Sequence, residues 1–281
     1  TMSTKAEEEK AKAPRLLSSP EFLELFGSFC LCSFGHVVLI AHKLDFLPSW
    51  RRQIPFQELA LGEKVLSLVH NQPYDGDSVP DIVLGLAAVL AWFIQIAMSH
   101  FIFPYDLHGT LCAYMTCGGL VHLGTEFTKA YAAYLRPFFY QECQPSADFT
   151  SCTNPGYSED IRRSFPSGHA SVAFGILTMF TLYIHQRLGV GAATCRVVKE
   201  TSDGELVMVS SKLTPSHRLY SLLSLVPISI AWYISCSRIV DNAHFPADVL
   251  AGALLGFAIA KFSHSLWFPS FSVCVMKQHN D

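Results

Sequence analysis

Three short clusters hold the side chains of this sequence that could do chemistry. The first is Lys129-Ala-Tyr-Ala-Ala-Tyr-Leu-Arg136-Pro137. A spacing of seven is about two helical turns, so an unbroken helix sets Lys129 and Arg136 on one face, ~10 Å apart along the axis, and Pro137 stops it soon after. The second is Arg163-Ser164-Phe165-Pro166-Ser167-Gly168-His169. Proline suits the first position of a helix. The unpaired N–H groups and positive dipole of a helix start make a ready anion site. Ser167 adds a hydroxyl donor, Gly168 lets the backbone approach closely, and His169 can titrate near neutral pH. The third runs from Ser237-Arg238 through Asp241, Asn242 and His244 to Pro246 and Asp248. His244 and Asp248 are four apart and adjacent if a helix starts there. A carboxylate bonded to one ring nitrogen fixes the tautomer and leaves the other as nucleophile or base.

Each cluster alone has a plainer reading: cations snorkelling at a membrane edge, a capped helix start, a structural His–Asp bond. The elements that carry them decide between the readings. The chain has 281 residues, with 20 Lys+Arg against 23 Asp+Glu and a net charge of −3. That balance speaks against nucleic acid as a partner, because phosphate-backbone binders carry a basic excess. Only 15% of residues are charged, against about 25% in an average soluble domain, and the mean hydropathy is +0.29. Six apolar stretches, near 23–41, 80–99, 108–131, 169–186, 217–236 and 246–268, approach the roughly 20 residues a membrane span needs. The fold expected is an all-α integral membrane bundle of six transmembrane helices. Residues 1–22 read as a disordered cytoplasmic tail, 23–268 as the membrane domain and 269–281 as a C-terminal tail. A soluble helical core is the alternative, which six such segments in one chain make hard to sustain.

Alternation of the spans puts all three clusters on one side of the membrane. The result is three cations (Lys129, Arg136, Arg238), a helix N-terminus, two histidines and one carboxylate at one edge, a site for a tetrahedral oxyanion with a nucleophile and an acid supplied.

At these residues the chain resembles the type 2 phosphatidic acid phosphatase superfamily, whose signatures K-x6-R-P, P-S-G-H and S-R-x5-H-x3-D are matched at Lys129–Pro137, Pro166–His169 and Ser237–Asp248. The nearest likeness is to eukaryotic lipid phosphate phosphatases. The resemblance implies a nucleophilic His244 that forms a phosphohistidine, oriented by Asp248. It makes His169 the acid for the leaving alkoxide. It gives Lys129, Arg136, Arg238, Ser167 and the Gly168 amide to the phosphoryl oxygens. It implies no metal and no other cofactor, and no HExxH or clustered-carboxylate spacing is present. The substrates implied are phosphatidate, lysophosphatidate, diacylglycerol pyrophosphate or sphingoid phosphates. An isoprenoid diphosphate phosphatase and a catalytically silent scaffold are the alternatives. The membrane phospholipid is the expected partner, and homo-oligomerisation is left open.

Glu126 and His122 share a face with Lys129, and Glu126 can pair with it. The other histidines, His42 and His70 among them, show no pattern. Loop 42–79 is long and carries apolar residues at helical spacing, so Glu58–His70 reads as an interfacial helix or as a surface helix packed over the bundle. Positive residues favour the side away from the site, which puts the site on the lumenal or outer face of the endoplasmic reticulum, another endomembrane or the plasma membrane. Only Cys143 and Cys152 of the nine cysteines fall in a loop on the site side, where they could form a disulfide.

Overall fold

The computed structural model describes residues 19–268, apart from 61, 104–105, 189–193, 201–205 and 213–214. Residues 1–18 of the expected N-terminal tail and the whole of 269–281 lie outside the described residues. The helices are α1 (Ser19–Lys43), α2 (Asp81–Phe101), α3 (Leu107–Ala132), α4 (Phe139–Cys143), α5 (Gly168–Leu188), α6 (Pro215–Leu223), α7 (Val226–Val240) and α8 (Pro246–Trp267). Helix α1 thus begins at Ser19, inside the segment expected to be tail.

Among the described residues, four segments are long and apolar enough to cross a membrane: Pro20–Lys43, Asp81–Phe101, Leu219–Val240 and Pro246–Trp267. The protein is an integral membrane protein, mostly helical. The other two expected spans are α3, of 26 residues, and α5, of 21 residues, and both are more polar. They are the inner helices: α5 packs on α8, α7, α3 and α2, and α3 on α1, α8 and α5. Thr110, Thr116, Thr125 and Glu126 of α3 and Ser171, Thr178 and Thr181 of α5 are buried. Polar groups are tolerated inside a bundle where they face protein rather than lipid.

Helix α8 approaches the start of α5 at Gly252 and Gly256. A Cβ at these positions would overlap the carbonyl oxygens of Ser167 and Ser171, so only glycine allows this contact. It draws the second and third clusters together.

The structure corrects three expectations. Glu58–His70 is not a helix. Gln57–Glu58 (β1) pairs antiparallel with Lys64–Val65 (β2), and a short 3-10 turn follows at Leu68–His70. Gly62, at φ +79°, turns the chain in the middle of the run, and Leu59 N–H donates to the Glu63 carbonyl across the turn. Glycine adopts that conformation without steric cost, and it outweighs the apolar spacing. The fifth expected span stands as Leu219–Val240 but is not one continuous helix: it is interrupted at residues 224–225 between α6 and α7, beside Pro227 in the first turn of α7, a residue without the N–H that would continue the helix. The fold is also not purely α: the loop over 187–216 contains a hairpin of Thr194–Glu200 (β3) and Leu206–Lys212 (β4), with Thr194 opposite Lys212.

Candidate active site

One cavity of about 1070 Å³ opens among α1, α2, α3 and α5, and Lys129, Arg136, Gly168, His169, Arg238 and His244 all line it at one end. The three clusters therefore converge as their placement along the chain required. The route differs from the sequence reading in one respect. Helix α3 stops at Ala132, and Ala133 takes a left-handed φ of 44°. Arg136 lies beyond it in non-helical chain, its N–H bonded to the Ile161 carbonyl at 2.9 Å. Lys129 and Arg136 do not share a helix face. The residue before a proline is driven from helical toward extended geometry, and pairing with 161–164 takes up the freed backbone.

Arg136 is held through all three of its guanidinium nitrogens. Nε donates to the Asp160 carbonyl (2.9 Å), Nη2 to Asp160 Oδ2 (2.6 Å) and Nη1 to the Ala243 carbonyl (2.9 Å), and Nη1 lies 3.2 Å from His244 Nε2. Arg238 pairs with Asp77 (2.7 Å) and Asp241 (2.8 Å). Lys129 Nζ is 3.2 Å from Glu126, whose other oxygen is 2.5 Å from His42 Nδ1. Glu126 thus plays the supporting part expected of it. His169 Nε2 sits 3.4 Å from Asp81, which also holds Lys43 at 2.9 Å.

The second cluster departs from its expected form. Pro166 precedes the helix rather than opening it, and the Phe165–Pro166 bond is cis. Helix α5 starts at Gly168, and the Ser167 hydroxyl accepts from Ala170 N–H at 3.4 Å. Ser167 is fully buried and caps the helix instead of reaching the cavity wall. The Gly168 backbone does reach it, close enough that a Cβ there would lie 3.3 Å from Lys129 Nζ.

His244 and Asp248 are neighbours, but Nδ1 to Oδ2 is 3.8 Å, too long for a hydrogen bond. Ser164 stands between them, with Oγ 2.5 Å from Asp248 Oδ2 and 3.4 Å from His244 Nδ1. Asp248 Oδ2 also accepts from Phe245 N–H at 3.0 Å, closing the first turn of α8. Burial of His244, reinforced by the charges of Arg136 and Lys129, lowers its pKa well below the ordinary histidine value. For Asp160, desolvation raises the pKa, but Arg136 and Lys129 outweigh it and hold the carboxyl well below the usual carboxylate range. The imidazole is neutral and its neighbouring carboxylate ionised at neutral pH.

The sequence matches known proteins in the same regions. Residues 108–272 match the PAP2 superfamily. A fission-yeast protein (Schizosaccharomyces pombe) named "Probable diacylglycerol pyrophosphate phosphatase 1" is 30% identical over 83% of this chain and 80% of its own length. The chain belongs to the PAP2 superfamily. Among its relatives there, "Lipid phosphate phosphatase 2" of Arabidopsis thaliana is 26% identical over 76% of this chain and 70% of its own. "Diacylglycerol pyrophosphate phosphatase 1" of Saccharomyces cerevisiae is 28% identical over 52% of this chain and 47% of its own. No solved structure matches. The protein is thus a PAP2 phosphatase embedded in the membrane.

Several residues of this PAP2 site carried no signal in the sequence. Asp77, Asp81 and Asp160 come from loops or helix starts without a motif, and His42 lies 84 residues from its partner Glu126. Ser164 sat inside a cluster but had no role there. Arg163 holds the end of α1 through the His42 carbonyl (2.6 Å) and Asp45 (2.8 Å). The disulfide between Cys143 and Cys152 is present, spanning 4.7 Å between Cα atoms.

Proposed function

We propose that the protein is a metal-independent lipid phosphate phosphatase that works through a phosphohistidine at His244. The observation that carries this reading is the two-ended character of the cavity. At one end stand Lys129, Arg136, Arg238, His169 and His244. From there the cavity follows α3 down to Tyr114 and α1 to Phe29, past Leu39, Val89, Trp92, Val121 and Ile176. From Lys129 to Tyr114 is about four helical turns, roughly 22 Å at 1.5 Å per residue, more than half of a hydrocarbon core of about 30 Å. Helices α1 and α2 make little contact with each other, which leaves a lateral way in from the bilayer. Such a space suits a phosphate carried on an apolar tail.

The chemistry follows from charge. A phosphoryl-transfer transition state asks for in-line positioning and for stabilisation of charge on the equatorial oxygens. Lys129, Arg136, Arg238 and the Gly168 amide supply donors from three directions. The His244 Nε2 lone pair faces Arg136 Nη1, where a phosphoryl group held by that guanidinium would sit. His169 protonates the leaving oxygen and then takes a proton from water. The substrates are phosphatidate, lysophosphatidate, diacylglycerol pyrophosphate or sphingoid phosphates, cleaved at the headgroup level.

In this reading α3 and α5 also cross the membrane, giving six spans, with their polar residues shielded by the four apolar helices. The site faces the lumen or the outside. The Cys143–Cys152 bridge on that side supports this, since disulfides persist in oxidising compartments.

The test is phosphate release by purified protein in detergent with excess EDTA, from a panel of these lipids and isoprenoid diphosphates. Activity on the glycerolipid or sphingoid phosphates, with a phosphoenzyme that survives an alkaline denaturing quench, is labile to acid and is lost in His244→Ala, is the expected outcome. An absolute Mg²⁺ requirement, or turnover confined to isoprenoid diphosphates, would overturn it.

A further inference from the structure

We infer that Ser164 is a positioning residue for the nucleophile, relaying the charge of Asp248 to His244 through its hydroxyl. This rests on the phosphohistidine reading above. The argument begins with the distance that fails: 3.8 Å between His244 Nδ1 and Asp248 Oδ2 leaves the imidazole without the direct carboxylate partner its spacing suggests. Ser164 Oγ is the group that touches both, at 2.5 Å and 3.4 Å.

The donor arithmetic allows one arrangement. An ionised carboxylate only accepts, and a hydroxyl has one proton to give. The 2.5 Å contact therefore runs from Ser164 O–H to Asp248, and the remaining Ser164 lone pair accepts from His244 Nδ1–H. That sets the proton on Nδ1 and leaves the Nε2 lone pair free on the side of Arg136. When phosphorus bonds to Nε2, the ring becomes a cation with its proton on Nδ1. The aligned chain Asp248 carboxylate, Ser164 hydroxyl, imidazolium then stabilises the charge that forms, with no proton leaving the ring.

The hydroxyl is well placed to be held still. Ser164 and Asp248 are essentially inaccessible and His244 is nearly so, so water cannot replace the serine. Its N–H donates to the Tyr134 carbonyl at 2.8 Å, two residues before Arg136. Ser164 thus joins the segment carrying the phosphate-binding arginine to the helix carrying the carboxylate, and all three clusters meet at this one side chain.

The experiment is kinetic analysis of purified full-length Ser164→Ala, Asp248→Ala and the double variant, beside His244→Ala. Removing a buried hydrogen-bonded hydroxyl is expected to lower kcat by about 10- to 100-fold, with KM and the inhibition constant for inorganic phosphate within about twofold. In the Asp248→Ala background the same change is expected to cost little more, because the relay has already lost its far end. Ser164→Cys, of similar size and a weaker donor, should fall between. A purely structural serine would lower thermal stability and leave kcat per folded molecule unchanged. Wild-type kcat in Ser164→Ala, or losses that multiply fully in the double variant, would overturn the relay. His244→Ala separates the two levels. If it is inactive while Ser164→Ala is normal, only the relay fails; if it retains turnover, the phosphohistidine reading itself fails.

Discussion

The two ends of the helix bundle both bury polar side chains, and they do so to opposite effect. At the end away from the cavity mouth, Asp106 before α3 pairs with Arg187 at the end of α5 and accepts from the Tyr183 hydroxyl at 3.1 Å. Ser99 joins Tyr183 (3.3 Å) to Thr110 (2.6 Å), and Gln95 reaches Thr110 at 3.4 Å. Gln95, Ser99, Thr110 and Tyr183 are completely buried. These contacts tie α2, α3 and α5 together and leave the group closed. At the other end, cations from three separate segments of chain line an open cavity, each paired with a carboxylate that also lines it: Glu126 on Lys129, Asp160 on Arg136, Asp77 on Arg238. Ion pairing by itself does not mark function. What marks it is convergence of three cations and two histidines on one open cavity, where a bound anion can take up the donors their carboxylate partners leave.

Substitutions at the two ends should therefore separate activity from stability. His244→Ala is expected to remove turnover, by at least about 10³-fold, while the melting temperature stays close to that of the native protein; thermal unfolding in detergent beside phosphate release checks both. Arg136→Lys keeps the charge but loses the planar fork that bonds Asp160, and should cost about 10²- to 10³-fold in kcat/KM. The pH profile is a further check. Because burial lowers the His244 pKa, the ring stays neutral as pH falls through the usual histidine range. The acid limb of kcat/KM should therefore lie well below the ordinary histidine value of 6.5; a limb near 6.5 would contradict a buried neutral nucleophile. Asp106→Asn, at the closed end, should do the reverse of His244→Ala: about 1–3 kcal/mol of stability lost with kcat within twofold. The smallest effect on catalysis is expected for Cys143→Ser with Cys152→Ser. The bridge closes a short loop beside the site, so about 2–4 kcal/mol of stability should go with little change in phosphate release. A kcat loss at Asp106 as large as at His244 would erase the distinction between the ends.

Much of this was legible in the sequence. Low charge and six apolar stretches announced a membrane bundle, and every basic residue and histidine named for the site lines the cavity, whereas Ser167 caps a helix and Asp248 does not reach the wall. Local competition defeated the rest. The apolar spacing in Glu58–His70 resembled a helix, but Gly62 at positive φ folds it into a hairpin. The seven-residue spacing of Lys129 and Arg136 suggested one face, but Pro137 and backbone pairing with residues 161–164 pull Arg136 off the helix. Glu126 was legible as a near neighbour of Lys129, but the distant acidic partners were not, because an ion pair between residues far apart in the chain, such as Arg136 with Asp160 or Arg238 with Asp77, leaves no periodic trace.

The sequence by itself determined that the protein lives in a bilayer, because hydropathy marks apolar segments of spanning length, and which short motifs carry its cations and histidines. Only the tertiary structure decided how those side chains are oriented. That depends on distances of a few tenths of an ångström between segments brought together by close helix contact at Gly252 and Gly256, and it is there that a serine, rather than the expected carboxylate, stands next to the histidine.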